Sequence, residues 1–271
     1  MDIGRRVAVI TGGASGIGRA VATAMASRGV AGVALVDMSE TVEDVAAKLN
    51  AEAGRPFAIP FQGDTTDEKF RSSVYDAISR KFGLVTMCVP AAGITRDDLA
   101  VRVDKNTGKA RVYPLEQFRL VVEVNLIAPV YWALEMIGHI AEERAAKGLK
   151  RWAPQEGVQG SVVFIGSISS QGNRGQISYA STKAGLEGAA ATIMQEAMFH
   201  GVRCSVIHPG FTDTPMVRAM GMDYVAKNIL PFTQLGRLIA PEEIADAICF
   251  MLVNSAVSGE LWVDAGWHAP A

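Results

Sequence analysis

The chain has 271 residues, 49% hydrophobic and 20% charged, with a formal net charge of −2, an ordinary globular composition that can fill the core of one α/β domain. The near-neutral balance gives no reason to expect nucleic acid or an anionic membrane as partner, and no uninterrupted apolar run reaches the ~18 residues a membrane span needs. The N-terminus runs straight into a strand pattern without a signal peptide, and Cys88, Cys204 and Cys249 lie in or beside apolar runs, so the expectation is a cytoplasmic protein with three buried thiols and no metal.

In chain order, residues 6–12 read as a buried strand and 17–29 as a helix ending at Gly29. A strand follows at 32–37, then a helix at 39–54 with Ser39 as N-cap and Gly54 as its stop. Residues 57–64 form a third strand, 67–83 a third helix and 84–93 a fourth strand. An inserted stretch, 101–114, reads as a β-hairpin turning at 106–108. A long helix at about 114–147, a polar loop at 147–160, a strand at 160–167 and a helix at 175–197 come next. A strand at 202–210, a helix at 241–253 with Pro241 in its first turn and a last strand at 259–266 complete the chain. This alternation predicts a single Rossmann-type, doubly wound parallel sheet of about seven strands with helices on both faces. No linker or internal repeat divides it, so residues 1–271 form one domain.

The first strand meets the first helix in VAVITGGASGIGRA, with Gly12, Gly16 and Gly18 spaced G-x3-G-x-G around Ser15 and Ile17. Glycine lets the backbone turn tightly and lets a pyrophosphate reach the helix N-terminus, where N–H groups and the dipole favour anions. Such a spacing alone also fits a plain tight turn; its place at the start of a βαβ unit points to a dinucleotide. Nineteen residues after Gly18 the second strand ends in Asp37. A carboxylate there accepts from ribose hydroxyls and repels a 2′-phosphate, and no Arg or Lys follows in Met38, Ser39 or Glu40, so NAD(H) is favoured over NADP(H). The alternative is a solvated loop acid.

Six motifs in register then resemble the short-chain dehydrogenase/reductase family over almost the whole chain: TGGASGIG (11–18), AAG (91–93), Asn125 in EVNLIAP, Ser167 in IGSISS, YASTK (179–183) and PGFTDTP (209–215). Within the family, AAGITRDDL and GNRGQISYASTKAGL look most like 3-oxoacyl-[acyl-carrier-protein] reductases. The resemblance implies that Tyr179 is the general acid/base, Lys183 its electrostatic partner and ribose ligand, and Ser167 the anchor of the substrate oxygen. It implies that Asn125 holds a water in a proton relay and that Asp64 and Thr65 meet the adenine. Ala91, Ala92 and Gly93 would line the ribose side, and Pro209, Gly210, Thr212 and Thr214 the nicotinamide and phosphates. It also implies a homotetramer.

The residues support that chemistry on their own terms. A free tyrosine has a pKa near ~10. A lysine four positions on shares its helix face, and its ammonium, with the positive ring of NAD+, favours the phenolate. Ser167 bonds the oxygen where charge develops. Small neighbours such as Ala180, Ser181, Ala184 and Gly185 allow close approach to a cofactor, the sheet or another subunit.

Four departures stand against the family pattern. Pro90 and Ala91 replace its usual asparagines, and Pro90 removes a strand-end N–H. Ser167 and Tyr179 are one residue closer than usual, so Ser169 competes for the serine role. Asp37 runs against the NADP preference usual among acyl-carrier-protein reductases, and the stretches at 101–113 and 147–160 are longer than expected. Over the strand ends, 211–238 carries Phe211, Met216, Met220, Met222, Tyr224, Leu230 and Phe232, a mobile apolar lid or simply helix packing. Arg96, Arg102 and Arg111 are candidate contacts for an acidic carrier protein.

Two functions follow. One is an NAD(H)-dependent oxidoreductase of a secondary alcohol or ketone, acting on a 3-oxoacyl or 3-hydroxyacyl thioester carried by CoA or an acyl carrier protein, or on a sugar, polyol, steroid or other small alcohol. The other is a non-catalytic NAD(H)-binding sensor.

Overall fold

The computed structural model describes residues 2–267. Its strands are β1 (Val7–Thr11), β2 (Gly32–Asp37), β3 (Ala58–Gln62), β4 (Val85–Pro90), β5 (Val101–Val103), β6 (Ala110–Val112), β7 (Gly160–Ile165), β8 (Val202–Pro209) and β9 (Gly259–Val263). Seven of them form one parallel sheet, as the alternating pattern predicts, and their order is β3-β2-β1-β4-β7-β8-β9. The central strands are buried on both faces and so read as unbroken apolar runs. Pro60 sits in β3, an edge strand, where a missing N–H costs no ladder bond on the open side.

The helices are α1 (Gly16–Ser27), α2 (Val42–Ala53), α3 (Glu68–Phe82), α4 (Leu115–Val122), α5 (Ala128–Ala146), α6 (Ile177–Ala197), α7 (Pro215–Arg218), α8 (Met222–Asn228) and α9 (Pro241–Val253). One face of the sheet is covered by α1, α2 and α9 through Val21, Met25, Val42, Ile244 and Leu252. The other carries α3, α5 and α6 through Val74, Ile78, Trp132, Ile140 and Leu186.

β4 ends at Pro90 rather than 93 and β9 at Val263 rather than 266, and two helix boundaries differ for a definite local reason. Helix α2 starts at Val42, not at 39, because the Ser39 hydroxyl is occupied by Thr41, accepting from its N–H at 3.3 Å and sharing a 2.8 Å bond with its hydroxyl. The turn that results is local, and Ser39 does not cap the helix. Gly54 does end α2, in the left-handed region at φ 63°. The long helix at 114–147 is broken by a π-helical turn over Glu123–Ile127 between α4 and α5. Pro129, in the first turn of α5, has no N–H to give the carbonyl of Asn125 four residues earlier, so the α register cannot run through.

Within Leu115–Ala146 an 18-residue window reaches a mean hydropathy of 1.6, enough by length and composition for a membrane span; 39% of that window is buried, and Trp132, Met136 and Ile140 of α5 pack on the sheet. The inserted hairpin is present, with Val101 paired to Val112. Its turn is closed by Asp104 Oδ1, which accepts from the N–H groups of Asn106 and Thr107 at 2.9 and 2.7 Å.

Candidate active site

The strand order reverses between β1 and β4, and a crevice opens there at the carboxyl ends of the strands. Gly12 and Gly16 both adopt positive φ, +67° and +51°. A Cβ on Gly12 would stand 2.8 Å from the Ala92 nitrogen, and one on Gly18 would run into the Gly12 carbonyl oxygen. The glycines therefore let α1 settle on the strand end and let the loop after β4 pass close by. A Cβ on Gly16 would come within 3.1 Å of Thr214 Cγ2, which brings the two ends of the chain together over the crevice. Ser15 precedes α1 with no side-chain cap bond.

Asp37 accepts from the Ala14 N–H through Oδ2 and from the Ser39 N–H through Oδ1, each at 3.0 Å. It braces the glycine turn and stays half-buried, with further lone pairs facing outward. Asp64 lies beside it, because the Gly63 N–H donates to the Asp37 carbonyl at 2.9 Å. Its Oδ1 accepts from the Thr66 N–H and hydroxyl at 2.9 and 2.8 Å. Thr65 is buried, its carbonyl accepting from Trp132 Nε1 at 2.9 Å.

Pro90 leaves no gap. Thr11 next to it takes the Ala91 N–H on its carbonyl at 3.2 Å and the Ala92 N–H on its hydroxyl at 3.1 Å. Gly93 faces Asn125, where an added Cβ would sit 3.4 Å from Oδ1. Asn125 is fully buried, and both ends of its amide are held by Ile94: Oδ1 accepts from the N–H at 2.9 Å and Nδ2 donates to the carbonyl at 2.8 Å.

A cavity of about 400 Å³ continues from this crevice and brings together Ile17, Ser167, Tyr179, Pro209, Gly210, Thr212 and Thr214. Thr212 donates to the Gly210 carbonyl at 3.1 Å, and Thr214 caps α7 by accepting from the Val217 N–H at 3.4 Å. Lys183 is buried behind the cavity, its Nζ donating to the Ile165 carbonyl at 2.7 Å and standing 5.4 Å from the centre of the Tyr179 ring. Loss of solvent pushes the Tyr179 phenol up to about 12, opposed by a hydrogen bond from Ser167 and reinforced by the negative charge of Asp97. Burial pulls the Lys183 ammonium down to about 8.

Between the two serines the geometry favours Ser167. Ser169 donates its hydroxyl to Gln176 Oε1 at 2.8 Å and its N–H to Ser167 Oγ at 3.1 Å. It therefore orients Ser167, whose own O–H is left for Tyr179 and the cavity. Arg102 and Arg111 both pair with Asp98, at 3.1 and 2.6 Å, and fasten the hairpin to the loop after β4 while their side chains stay more than half exposed.

Sequence reading missed several residues. Asp97 lines the cavity and receives Gln176 Nε2 at 2.9 Å. Trp267 lies in the cavity wall, edge-on to Phe211 and Phe232. His208, behind Ser167, is fully buried and stacks on Trp262 at 4.1 Å. The one signal for it was a polar residue inside the apolar run CSVIHPG.

A parallel sheet with a glycine turn at its switch point and a Ser–Tyr–Lys set beside it defines a nicotinamide-dependent oxidoreductase of secondary alcohols and ketones. The family model for short chain dehydrogenases matches residues 6–224, and the chain belongs to that family. The chain is 31% identical over 99% of its length and 99% of the relative to the Escherichia coli 3-oxoacyl-[acyl-carrier-protein] reductase FabG. It is 31% identical, with 97% of each covered, to a cis-4-hydroxycyclohexanecarboxylate dehydrogenase of Sinomonas cyclohexanicum. It is 30% identical to the mouse (3R)-3-hydroxyacyl-CoA dehydrogenase, with 90% of this chain and 88% of the relative covered.

Proposed function

We propose that the protein is an NAD(H)-dependent enzyme that interconverts a 3-oxoacyl thioester and the matching 3-hydroxyacyl thioester. The observation that carries this reading is the meeting of Ser167 and Tyr179 in the wall of one cavity, with Lys183 buried behind them. The residues fit a dinucleotide: Gly12, Gly16 and Gly18 leave a cradle that side chains would fill, and the N-terminus of α1 points N–H groups into it. Asp37 would hold the adenosine ribose, Asp64 and Thr65 the adenine, and Ala91 to Gly93 the ribose side. Thr212 and Thr214, with Pro209 and Gly210, would flank the nicotinamide and phosphates. The bound nicotinamide supplies hydride exchange and, when oxidised, a positive charge.

The chain supplies the proton. With its phenol raised to about 12, Tyr179 holds a proton through the neutral range and donates it to the substrate oxygen during ketone reduction. Ser167 holds the same oxygen and stabilises charge on it. Lys183 places a cation one helical turn away, which favours the phenolate needed for alcohol oxidation. Asn125 acts as a brace, since its side chain is fully held by Ile94.

The similarity to reductases and dehydrogenases of acyl thioesters supports the substrate class. The lid over 211–238 supports it too, since Met216, Val217, Met220 and Tyr224 bring apolar side chains to the cavity wall. A second reading, a small cyclic hydroxy acid, is favoured by Arg174 in the cavity lining and by the Sinomonas relative. Exposed Leu120, Ile127, Tyr131 and Leu134 along α4 and α5 support self-association, as in a homotetramer, and a cytoplasmic location fits the buried free thiols.

Fluorescence titration with NADH and NADPH, repeated with acetoacetyl-CoA while nicotinamide absorbance is followed, tests the reading. NADH preference with consumption is expected. NADH binding without consumption removes the thioester, and NADPH preference removes the role given to Asp37.

A further inference from the structure

One turn beyond Lys183 on α6, Glu187 faces the far side of the wall that carries Ser167. There His208 Nε2 lies 3.1 Å from Glu260 Oε2 and 3.8 Å from Glu187 Oε1, and the ligand-type atoms of all three side chains lie within 4.8 Å of one another. Among the described residues, no lysine or arginine lies within ion-pair distance of either carboxylate. We propose that Glu187, His208 and Glu260 form a binding site for one divalent transition-metal ion, Zn2+ or Mn2+, placed directly behind Ser167.

The donor set suits such an ion: one imidazole nitrogen and two carboxylate oxygens, with open positions for water. The spacing suits it as well. Two donors each about 2.1 Å from a common ion subtend roughly 95° when 3.1 Å apart and roughly 130° when 3.8 Å apart, both within the range of real sites. The imidazole is already oriented. Its ring is fully buried and stacked on Trp262 with an interplanar angle of 14°. Its Nδ1 lies 3.2 Å from the Ser167 carbonyl, the backbone anchor that metal-binding histidines ordinarily have. An entry path exists, because the side chains of Glu187 and Glu260 are 29% and 41% exposed.

The site would be coupled to Ser167. Nδ1 has two ways to meet that residue: accepting from its N–H at 3.3 Å or donating to its carbonyl at 3.2 Å. A metal on Nε2 puts the ring proton on Nδ1 and selects the second arrangement. The ion would thus hold the Ser167 peptide in one hydrogen-bonded state without touching the cavity.

The test is equilibrium dialysis of the full-length protein against Zn2+ and Mn2+ with metal analysis, and Co2+ binding followed by visible absorbance. About one ion per chain is expected, with Co2+ bands of a mixed nitrogen and oxygen site. Glu260→Gln and Glu187→Gln should each weaken binding about tenfold or more, while NADH binding and the circular dichroism spectrum stay unchanged. These two variants are preferred to changes at buried His208, whose loss endangers the fold. Failure to reach stoichiometry with any of the three ions overturns the proposal, and so does stoichiometric binding that survives in both variants. The first outcome leaves His208 Nε2 as a hydrogen-bond partner of Glu260 only. Neither outcome bears on the oxidoreductase reading, which the NADH titration tests separately.

Discussion

Asp37→Asn separates two roles that the structure gives one carboxylate. Asp37 braces the glycine turn through the Ala14 and Ser39 N–H groups, each at 3.0 Å, and its outward lone pairs are the proposed ribose ligands. The amide keeps one acceptor oxygen, so one backbone bond is lost at a half-exposed site where water can replace it, at about 1 kcal/mol of stability. The ribose bonds lose their charge assistance, worth about 1.5–3 kcal/mol, or roughly 10- to 100-fold in NADH affinity. A 2′-phosphate gains relief from repulsion of about 2 kcal/mol at an intermediate dielectric, roughly 30-fold in NADPH affinity. The NADH to NADPH preference should therefore fall by about two to three orders of magnitude, measured by titrating both cofactors against wild type and variant, with a thermal melt alongside. An unchanged ratio with a lowered melting temperature would refute the ribose role and leave Asp37 as a brace of the turn only.

Four further outcomes are expected. Tyr179→Phe should abolish turnover and keep NADH binding; turnover within about tenfold of wild type would remove Tyr179 from the proton transfer, and an intact biological effect without turnover would favour a sensor. Lys183, at about 8, is charged below that pH and neutral above it, so kcat/KM for ketone reduction should be level on the acid side and fall as pH rises through about 8. Lys183→Arg should move that limb upward, and a pH profile indifferent to the substitution would assign the limb elsewhere. Gly18→Ala, whose Cβ meets the Gly12 carbonyl oxygen, should abolish cofactor binding; a variant titrating like wild type would contradict the close packing of α1 on β1. Trp132→Ala removes a fully buried ring beside Tyr75 and should cost about 3–5 kcal/mol in urea unfolding, whereas a loss under 1 kcal/mol would show that the site collapses.

The parallel sheet was legible because each central strand is an apolar run and each crossover helix is bounded by a glycine or proline; the order of its strands was not. The cofactor turn was legible because glycine is required there by φ and by contact distance at Gly12 and Gly18. What escaped was set by side-chain partners, some local and some distant, that periodicity does not show. Ser39 looks like a cap until Thr41 takes its hydroxyl. The π turn at Glu123–Ile127 leaves the apolar period almost intact, and only the missing N–H of Pro129 hints at it. The pairing of Arg102 and Arg111 with one carboxylate, Asp98, has no spacing in the sequence that announces it. His208 is a single polar letter in a strand, and its partners Glu187 and Glu260 come from elements 21 positions before it and 52 after.

The electrostatics of the cavity give these placements a common direction. Burial opposes charge on both members of the Tyr179–Lys183 pair, raising the phenol to about 12 and lowering the ammonium to about 8. Asp97 adds a negative charge on the same side as Tyr179, which opposes the phenolate further. The protein alone therefore holds its acid in the protonated form suited to reducing a ketone. Running the reaction toward oxidation requires more positive charge near the phenol than Lys183 supplies, and the oxidised nicotinamide is the group that would bring it. On the proposed role of Tyr179, the residues around it favour proton donation, and the opposite direction would depend on the cofactor form bound.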